Sequence, residues 1–167
     1  MRRLGPAVFV LLLCGSAAGQ DSVTGVAIPV QADQIRVGDA RISIFGIDAP
    51  DPDQDRECTL GGYFFGCYSN ALRHLATMLD LGPVTCSDTG KRNYVNFPYM
   101  TCTVNGQDIG EAMVRAGHAL AFLPQSDRYV EAEMAAKADK VGLWQPGVRF
   151  SLPWSWRVDH DRPLDGP

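Results

Sequence analysis

Four side chains around one short segment have the types and spacing to act together on a charged group. Asp48 and Asp51 flank Ala49-Pro50, Asp33 precedes them, and Arg41 lies between. Carboxylate oxygens are the ligands that calcium prefers, and a carboxylate can also activate water as a general base. A guanidinium can stabilise negative charge that develops in a reaction. These residue types could therefore hold a cation and act on water.

Each of these aspartates also has a purely structural interpretation. Asp48 could cap the turn that follows it, and Asp33 could end a strand that faces solvent. Asp51, Asp53 and Asp55 alternate as in a calcium-binding loop, but the glycine and the closing glutamate of an EF-hand are absent. We therefore interpret this last segment as a solvated acidic loop.

A hairpin is predicted to position the first carboxylate. Residues 23–30 are rich in β-formers, and residues 35–37 and 40–45 alternate around Gly38-Asp39, a two-residue turn with glycine first. Simple pairing across this turn sets Asp33 opposite Ile44 on the core-facing side. We therefore expect a β-bulge to bring Asp33 to a site.

The remaining pattern predicts helices and a second pair of strands. Apolar residues recur at helical spacing from about 69 to 81, before Gly82-Pro83. Asp108 and Glu111 form a capping box for a helix to about residue 116, and Ser126 or Asp127 can cap a last helix to about 141. Residues 153–167 are proline-rich without periodicity. Three strands, a helix, two strands and two helices predict an α+β fold.

The first 19 residues are predicted to be a signal peptide. Arg2 and Arg3 precede an apolar run at 7–13 and small residues at 16–19. A membrane-spanning helix needs about 20 apolar residues, so we expect cleavage near Gly19, a secreted or periplasmic protein, and no membrane span afterwards. Cleavage leaves 13 of the 15 basic residues against 19 acidic ones, a formal charge of −6. That balance disfavours nucleic acid as a partner.

Cleavage would also leave four cysteines, an even number typical of a disulfide framework in an exported chain. Sequence alone allows three connectivities. Cys86 and Cys102 lie on two strand-like runs that flank one loop, and Cys58 and Cys67 close a short loop. Pairing within each couple needs the least contortion of the chain. A zinc site is the rival interpretation, although no Cys-x-x-Cys spacing is present.

Several segments, in order along the chain, resemble the thermonuclease (staphylococcal nuclease-like) family. They are Ile47-Asp48-Ala49-Pro50 within residues 41–51, Thr103-Val104-Asn105-Gly106-Gln107-Asp108-Ile109, Met113-Val114-Arg115-Ala116-Gly117, Asp127-Arg128-Tyr129, Gly142-Leu143-Trp144 and Pro153-Trp154-Ser155-Trp156-Arg157. The resemblance covers residues 26–157. It implies a five-stranded OB-type Greek-key β-barrel with three α-helices. The expected domain spans residues 20–157, followed by a mobile tail at 158–167.

The family hydrolyses phosphodiester bonds of DNA and RNA with calcium. Carried over position by position, the resemblance implies Asp33 and Asp48 as metal ligands, with the carbonyl of Ala49 beside them. It implies Asp51 as general base, one methylene shorter than the family's glutamate. Two carboxylates are few for calcium, so we expect weak binding, about 10⁻³ M or poorer.

The cationic half of the site departs from the family pattern. Ser43 and Phe97 stand where the family has two phosphate-gripping arginines, and Phe122 and Pro124 stand where it has tyrosines of the nucleotide pocket. Arg41 lies two residues from Ser43, on the same face of a regular strand and displaced by about 7 Å, so it is the candidate catalytic substitute. Losing one such donor costs about 10²–10³ in rate, so we predict weak or no nuclease activity.

The competing hypothesis is a non-catalytic OB-fold binding module of the cell envelope. OB folds bind oligonucleotides or oligosaccharides, and a protein ligand is equally compatible with this fold class. The sequence itself names no protein partner.

Overall fold

The computed structural model describes residues 21–163, in which strands and helices mix as the α+β prediction requires. The predicted signal peptide lies outside the described residues. The strands are β1 Ser22–Gly25, β2 Ala27–Gln31, β3 Gln34–Val37, β4 Ala40–Ile44, β5 Ile47–Asp48, β6 Thr59–Leu60, β7 Tyr63–Phe64, β8 Val84–Arg92, β9 Pro98–Val104, β10 Gln107–Asp108, β11 Leu120–Ala121 and β12 Val148–Arg149. The helices are α1 Cys67–Leu79, α2 Ile109–Arg115, α3 Val130–Asp139 and α4 Pro153–Asp159, with short 3₁₀ helices at Pro52–Glu57 and Gly142–Trp144.

The main sheet is mixed and strongly curled. Its strands lie in the order β1-β8-β9-β4-β3-β2, and β10 also pairs with β9. Only the β4–β9 pair is parallel among these described strands. A Cβ added to Gly25 at the end of β1 would lie 3.2 Å from Val37 of β3, so two non-neighbouring strands approach each other. The finer expectation, a closed five-stranded barrel, stays a prediction.

The hairpin before the site has the predicted turn. β3 and β4 pair across Gly38-Asp39, and Asp33 lies opposite Ile44, whose N–H donates to the Asp33 carbonyl at 2.9 Å. The expected bulge at Asp33 is wrong, because Asp33 belongs to the tight turn between β2 and β3. The register shift of this strand pair falls instead between Pro29 and Gln31.

Helices α1 and α2 follow the sequence prediction closely, while α3 begins later. The Asp108 carboxylate accepts a hydrogen bond from Glu111 N at 3.0 Å, so the predicted cap of α2 is confirmed. The predicted capping of α3 by Ser126 or Asp127 is wrong: its N-cap is Tyr129, and Ser126 Oγ accepts from Arg128 N within the preceding turn. The side chain of Ser126 therefore shapes the approach to the helix.

No sequence pattern predicted α4, because a helix of two turns is too short to show a periodic apolar pattern. Pro153 occupies the first turn, where its fixed φ suits a helix and its missing N–H costs nothing. Trp156 and Arg157 are buried on its inner face. Whether the chain beyond residue 158 is mobile stays a prediction.

Both predicted disulfides are confirmed. Cys86 and Cys102 face each other across β8 and β9, and Cys58 joins the end of the first 3₁₀ helix to Cys67, the first residue of α1. The four cysteines within residues 21–163 are thereby used, so the rival zinc interpretation is wrong. Such bonds are typical of extracellular or periplasmic proteins.

None of the helices within residues 21–163 is both long enough and apolar enough to cross a membrane.

A pair of histidines lies where α1 meets the segment after α2. The rings of His74 and His118 lie 4.6 Å apart between centroids. Burial, together with the neighbouring His74, lowers the pKa of His118 to about 4, and burial also lowers the pKa of His74. The folded protein therefore keeps this pair neutral at pH values where the unfolded chain binds protons.

We expect acid to weaken the fold through His118. Its folded pKa lies below the unfolded value of 6.5, so its contribution is fully present above pH 6.5 and is lost as the pH falls toward 4. Between about pH 7 and pH 5, the free energy of unfolding of the wild type should fall by roughly 1–2 kcal/mol more than that of His118→Gln. Urea denaturation at both pH values measures this, and equal pH slopes would contradict it.

Candidate functional site

Three carboxylates converge at one end of the curled sheet. Asp33 lies in the turn between β2 and β3, Asp48 ends β5, and Asp51 caps the 3₁₀ helix that follows. Pairing of Leu120 in β11 with Asp48 holds β5 in place. Ala49 N donates to Asp33 Oδ2 at 3.3 Å, which ties the turn to the Asp48 segment. Aspartates distant in sequence are thus brought together by backbone pairing.

The cation of this cluster is Arg157, a residue to which the sequence analysis gave no role. Its Nη2 donates to Asp48 Oδ2, and its Nη1 donates to Asp51 Oδ2 at 2.8 Å. The Arg157 side chain is 2% exposed, and those of Asp48 and Asp51 are 5% and 9% exposed. The only sequence signal was the basic residue that ends Pro153-Trp154-Ser155-Trp156-Arg157.

Burial dominates the electrostatics of the cluster. It raises the pKa of Asp33 to about 6, although Arg157 acts in the opposite direction. Burial likewise raises the pKa of Asp48 and Asp51 against the effect of Arg157. Burial alone would lower the pKa of Arg157, but the two carboxylates outweigh it and raise that pKa. The positive charge of one guanidinium thus acts on the pKa of three carboxyl groups, which titrate as a coupled set.

Arg41 lies beside this cluster and is bonded elsewhere. Its Nε and Nη2 donate to Gln34 Oε1 at 3.1 and 2.9 Å, and its guanidinium lies 4.9 Å from the centre of the Phe97 ring. Ser43 is buried, and its Oγ accepts a hydrogen bond from Asn93 Nδ2 at 3.2 Å. The structure therefore places Arg41 against the neighbour of Asp33, without a hydrogen bond to the carboxylates.

The space enclosed by the cluster is very small. A cavity of about 10 Å³ is lined by Asp33, Ser43, Asp48 and Arg157 together with residues of the surrounding strands. A single water needs about 10–15 Å³ measured in this way. The space between Asp33, Asp48 and Arg157 can hold about one water molecule and no phosphodiester, and a separate pocket of about 160 Å³ lies beside Asp51 and Arg157.

The acidic segment after Asp51 forms no calcium loop. Asp53 pairs with Arg162 at 2.7 Å, whereas Asp55 Oδ1 accepts from the backbone N–H groups of Tyr68 and Ser69 at 2.9 and 3.3 Å. Our interpretation of a solvated loop is wrong for Asp51, which is buried against Arg157, and for Asp55, whose carboxylate satisfies the first turn of α1, where the N-cap is a glycine. The carboxylates of Asp51, Asp53 and Asp55 thus contact three different partners, which are Arg157, Arg162 and the backbone of α1.

These residues do not fit a calcium ion as they are arranged. Calcium takes six to eight oxygen ligands, yet one oxygen each of Asp48 and Asp51 is bonded to Arg157 and the adjoining cavity holds about one water. Within residues 21–163, no group of three or more His, Cys, Asp or Glu side chains is arranged to hold a metal ion.

A larger, apolar cleft lies on the other side of α4. Its volume is about 550 Å³, and it is lined by residues 121–124 and by Trp154, Ser155, Val158 and Asp159. The rings of Phe122 and Trp154 lie 5.8 Å apart, and Leu123 and Val158 are exposed beside them. Phe122 lines both this cleft and the small carboxylate cavity. A ligand seated here would touch α4 without reaching the aspartates.

Comparison with known proteins gives two results. The model of the staphylococcal nuclease homologue family matches residues 41–146, which is more than half of the chain. A distant relative, the succinoglycan biosynthesis protein ExoI of Rhizobium meliloti (strain 1021), is 23% identical over 149 residues. That alignment covers 86% of this chain and 76% of the relative.

We expect Asp55 to act as a helix cap and to have no part in binding a metal. Asp55→Ala leaves two N–H groups of α1 without their acceptor, so it should lower the free energy of unfolding by about 1–2 kcal/mol. The matched control is Asp53→Ala, which removes only an exposed ion pair and should change it by less than about 1 kcal/mol. Denaturant titration compares the two. Equal costs, or a cost for Asp55→Ala that depends on calcium, would contradict the capping role.

Proposed function

The chain belongs to the family of staphylococcal nuclease homologues, and we propose that it is a member that binds a ligand without hydrolysing phosphodiesters. The cavity of about 10 Å³ between Ser43, Asp48 and Arg157 carries this proposal. Hydrolysis requires the attacking water within about 3–3.5 Å of the phosphorus, with stabilising donors aimed at the charge that develops. The space between Asp33, Asp48 and Arg157 is too small for a phosphodiester while α4 keeps its position.

The lining of that cavity also supports the proposal. Ser43 and Phe97 stand where the resemblance implies phosphate-gripping arginines, and Ser43 Oγ is already engaged with Asn93. Arg41 is the candidate replacement, but its guanidinium is bonded to Gln34 and lies over Phe97. Each missing donor costs about 10²–10³ in rate. Two such losses with imperfect additivity amount to about 10⁴ or more.

We also propose that the protein is an exported, disulfide-bonded domain of OB type, cleaved near Gly19 and acting outside the cytoplasm. The two disulfides Cys58–Cys67 and Cys86–Cys102 support export, because thiols stay reduced in most cytosols. The curled sheet supports the barrel expectation, because closure requires strands distant in the sheet order to approach each other.

We expect the mature protein to cleave DNA and RNA at least about 10⁴-fold more slowly than a family member with both arginines. Release of acid-soluble nucleotides with calcium, and with a chelator as control, measures this. Any residual calcium-dependent cleavage should disappear in Arg41→Ala and rise in Ser43→Arg. Robust cleavage by the unmodified protein would contradict the proposal. Residual cleavage that neither substitution changes would remove Arg41 from it.

The apolar cleft favours an oligosaccharide as the ligand class. Phe122 and Trp154 offer ring faces, Ser155 and Asp159 offer hydrogen-bonding groups, and a cleft of about 550 Å³ is within the range of ligand sites. The name of the relative concerns synthesis of succinoglycan, and the net charge of −4 disfavours nucleic acid. Aromatic walls with a few polar groups are typical of sites that fix the orientation of a ligand.

Substitution of Trp154 should weaken such binding. Titration of tryptophan fluorescence with succinoglycan fragments and other bacterial oligosaccharides should show saturable binding that Trp154→Ala reduces about tenfold or more. Trp144→Phe is the matched control, since Trp144 packs edge-on against Phe150, outside the cleft. Absence of saturation with every sugar, or equal affinity in both variants, would contradict the oligosaccharide assignment. Tighter binding of a single-stranded oligonucleotide would replace it.

A further inference from the structure

We propose that Arg157 is the resident cation of the carboxylate pocket, in the place where the resemblance implies calcium, and that it fastens the C-terminal segment over the pocket. Its two terminal nitrogens donate to two different aspartates. Asp48 and Asp51 are therefore bridged by one positive group. The inference deepens the proposed loss of hydrolysis and concerns the same carboxylates.

The guanidinium of Arg157 is buried. A guanidinium in the protein interior is tolerated only when it is paired and hydrogen-bonded. Arg157 is 2% exposed and sits among three carboxylates that no other guanidinium or ammonium of residues 21–163 contacts within 4 Å. The carboxylates without Arg157 would repel one another, and Arg157 without them would be an unpaired buried charge. Each therefore requires the other.

The whole C-terminal strap (residues 151–162) is bonded to the segment that carries the aspartates. Gln54 Nε2 donates to the carbonyl of Ser151, and Gln54 is itself buried. At the other end Arg162 pairs with Asp53 at 2.7 Å. Arg157 thus lies between two further attachments to residues 53 and 54. The strap holds the guanidinium in the pocket, and the guanidinium holds the strap.

Arg157 also excludes another cation from the pocket. A cation held by Asp33 and Asp48 would share the Asp48 carboxylate with Arg157 and would meet its positive charge at close range. Calcium and Arg157 therefore compete for one position. The attachments of the strap set the effective concentration of the Arg157 guanidinium in the pocket. Free calcium at millimolar levels therefore cannot displace the guanidinium.

The test removes the guanidinium and asks whether a metal takes its place, with nucleic acid absent. Thermal unfolding of the wild type, Arg157→Met and Arg157→Lys is followed with and without ~10 mM calcium, and terbium luminescence sensitised by tryptophan reports direct binding. The controls are Arg162→Met, which removes the exposed ion pair of the same strap, and Arg157→Met/Asp48→Asn, which also removes a carboxylate.

We expect the Tm of the wild type and of Arg162→Met to change by less than about 1 °C with calcium. Arg157→Met should lose about 10 °C, because a buried pair has lost one partner. Calcium should return about 3 °C of that loss, as expected for millimolar affinity at ~10 mM, or should refold the variant if it is unfolded. Arg157→Lys should show an intermediate Tm without a calcium response, because an ammonium keeps the charge but lacks the planar fork.

Terbium luminescence should appear in Arg157→Met and be lost when Asp48→Asn is added. A calcium-induced rise in the wild-type Tm above about 2 °C would overturn the inference. So would an Arg157→Met protein that responds to neither metal, whether folded or unfolded. Robust nuclease activity in the separate cleavage assay would refute the proposed function, whereas the metal measurements alone decide the role of Arg157.

Discussion

The buried contact of one guanidinium with two carboxylates is the interaction on which the site depends. Arg157 reaches Asp48 from 109 residues away along the chain, and it joins α4 to β5 and to the 3₁₀ helix that Asp51 caps. Removing two carboxyl groups and a guanidinium from water is costly, and only mutual pairing offsets that cost. Such a contact specifies one position for α4, because any other position would leave charges unpaired.

Surrounding bonds keep the partners of Arg157 rigid. The Cys58–Cys67 disulfide ties the end of the 3₁₀ helix to α1. Asp55, in the 3₁₀ helix, accepts hydrogen bonds from two backbone N–H groups of α1. Gln54 bonds the strap from the other side. The acidic segment is therefore fixed by a covalent bond, a helix cap and an ion pair. A rigid, filled pocket of this kind suits a structural ion pair better than a site that must admit substrate.

The motifs that carry the family resemblance mostly serve the fold. Asp108 caps α2 and also accepts from Tyr129 Oη and Arg128, so two separate motifs meet at one carboxylate. Gly142 packs against Gly117, where a Cβ would lie 2.3 Å from a carbonyl oxygen, so these glycines permit a close approach of two backbones. This explains how a chain can keep the family pattern while the chemistry of its site changes.

The sequence by itself determined the local features of this protein. Periodicity located α1, a capping pattern located α2, and an even cysteine count with short loops predicted both disulfides, because each depends on neighbours in the chain. Only the tertiary structure decided that Arg157 lies on the aspartates, that Asp33 reaches them through a turn, and that the cavity holds about one water. Ion pairs and cavities form where segments distant in the chain meet. The helix that carries Arg157 is too short to show a periodic pattern, so no sequence pattern predicted the contacts of Arg157.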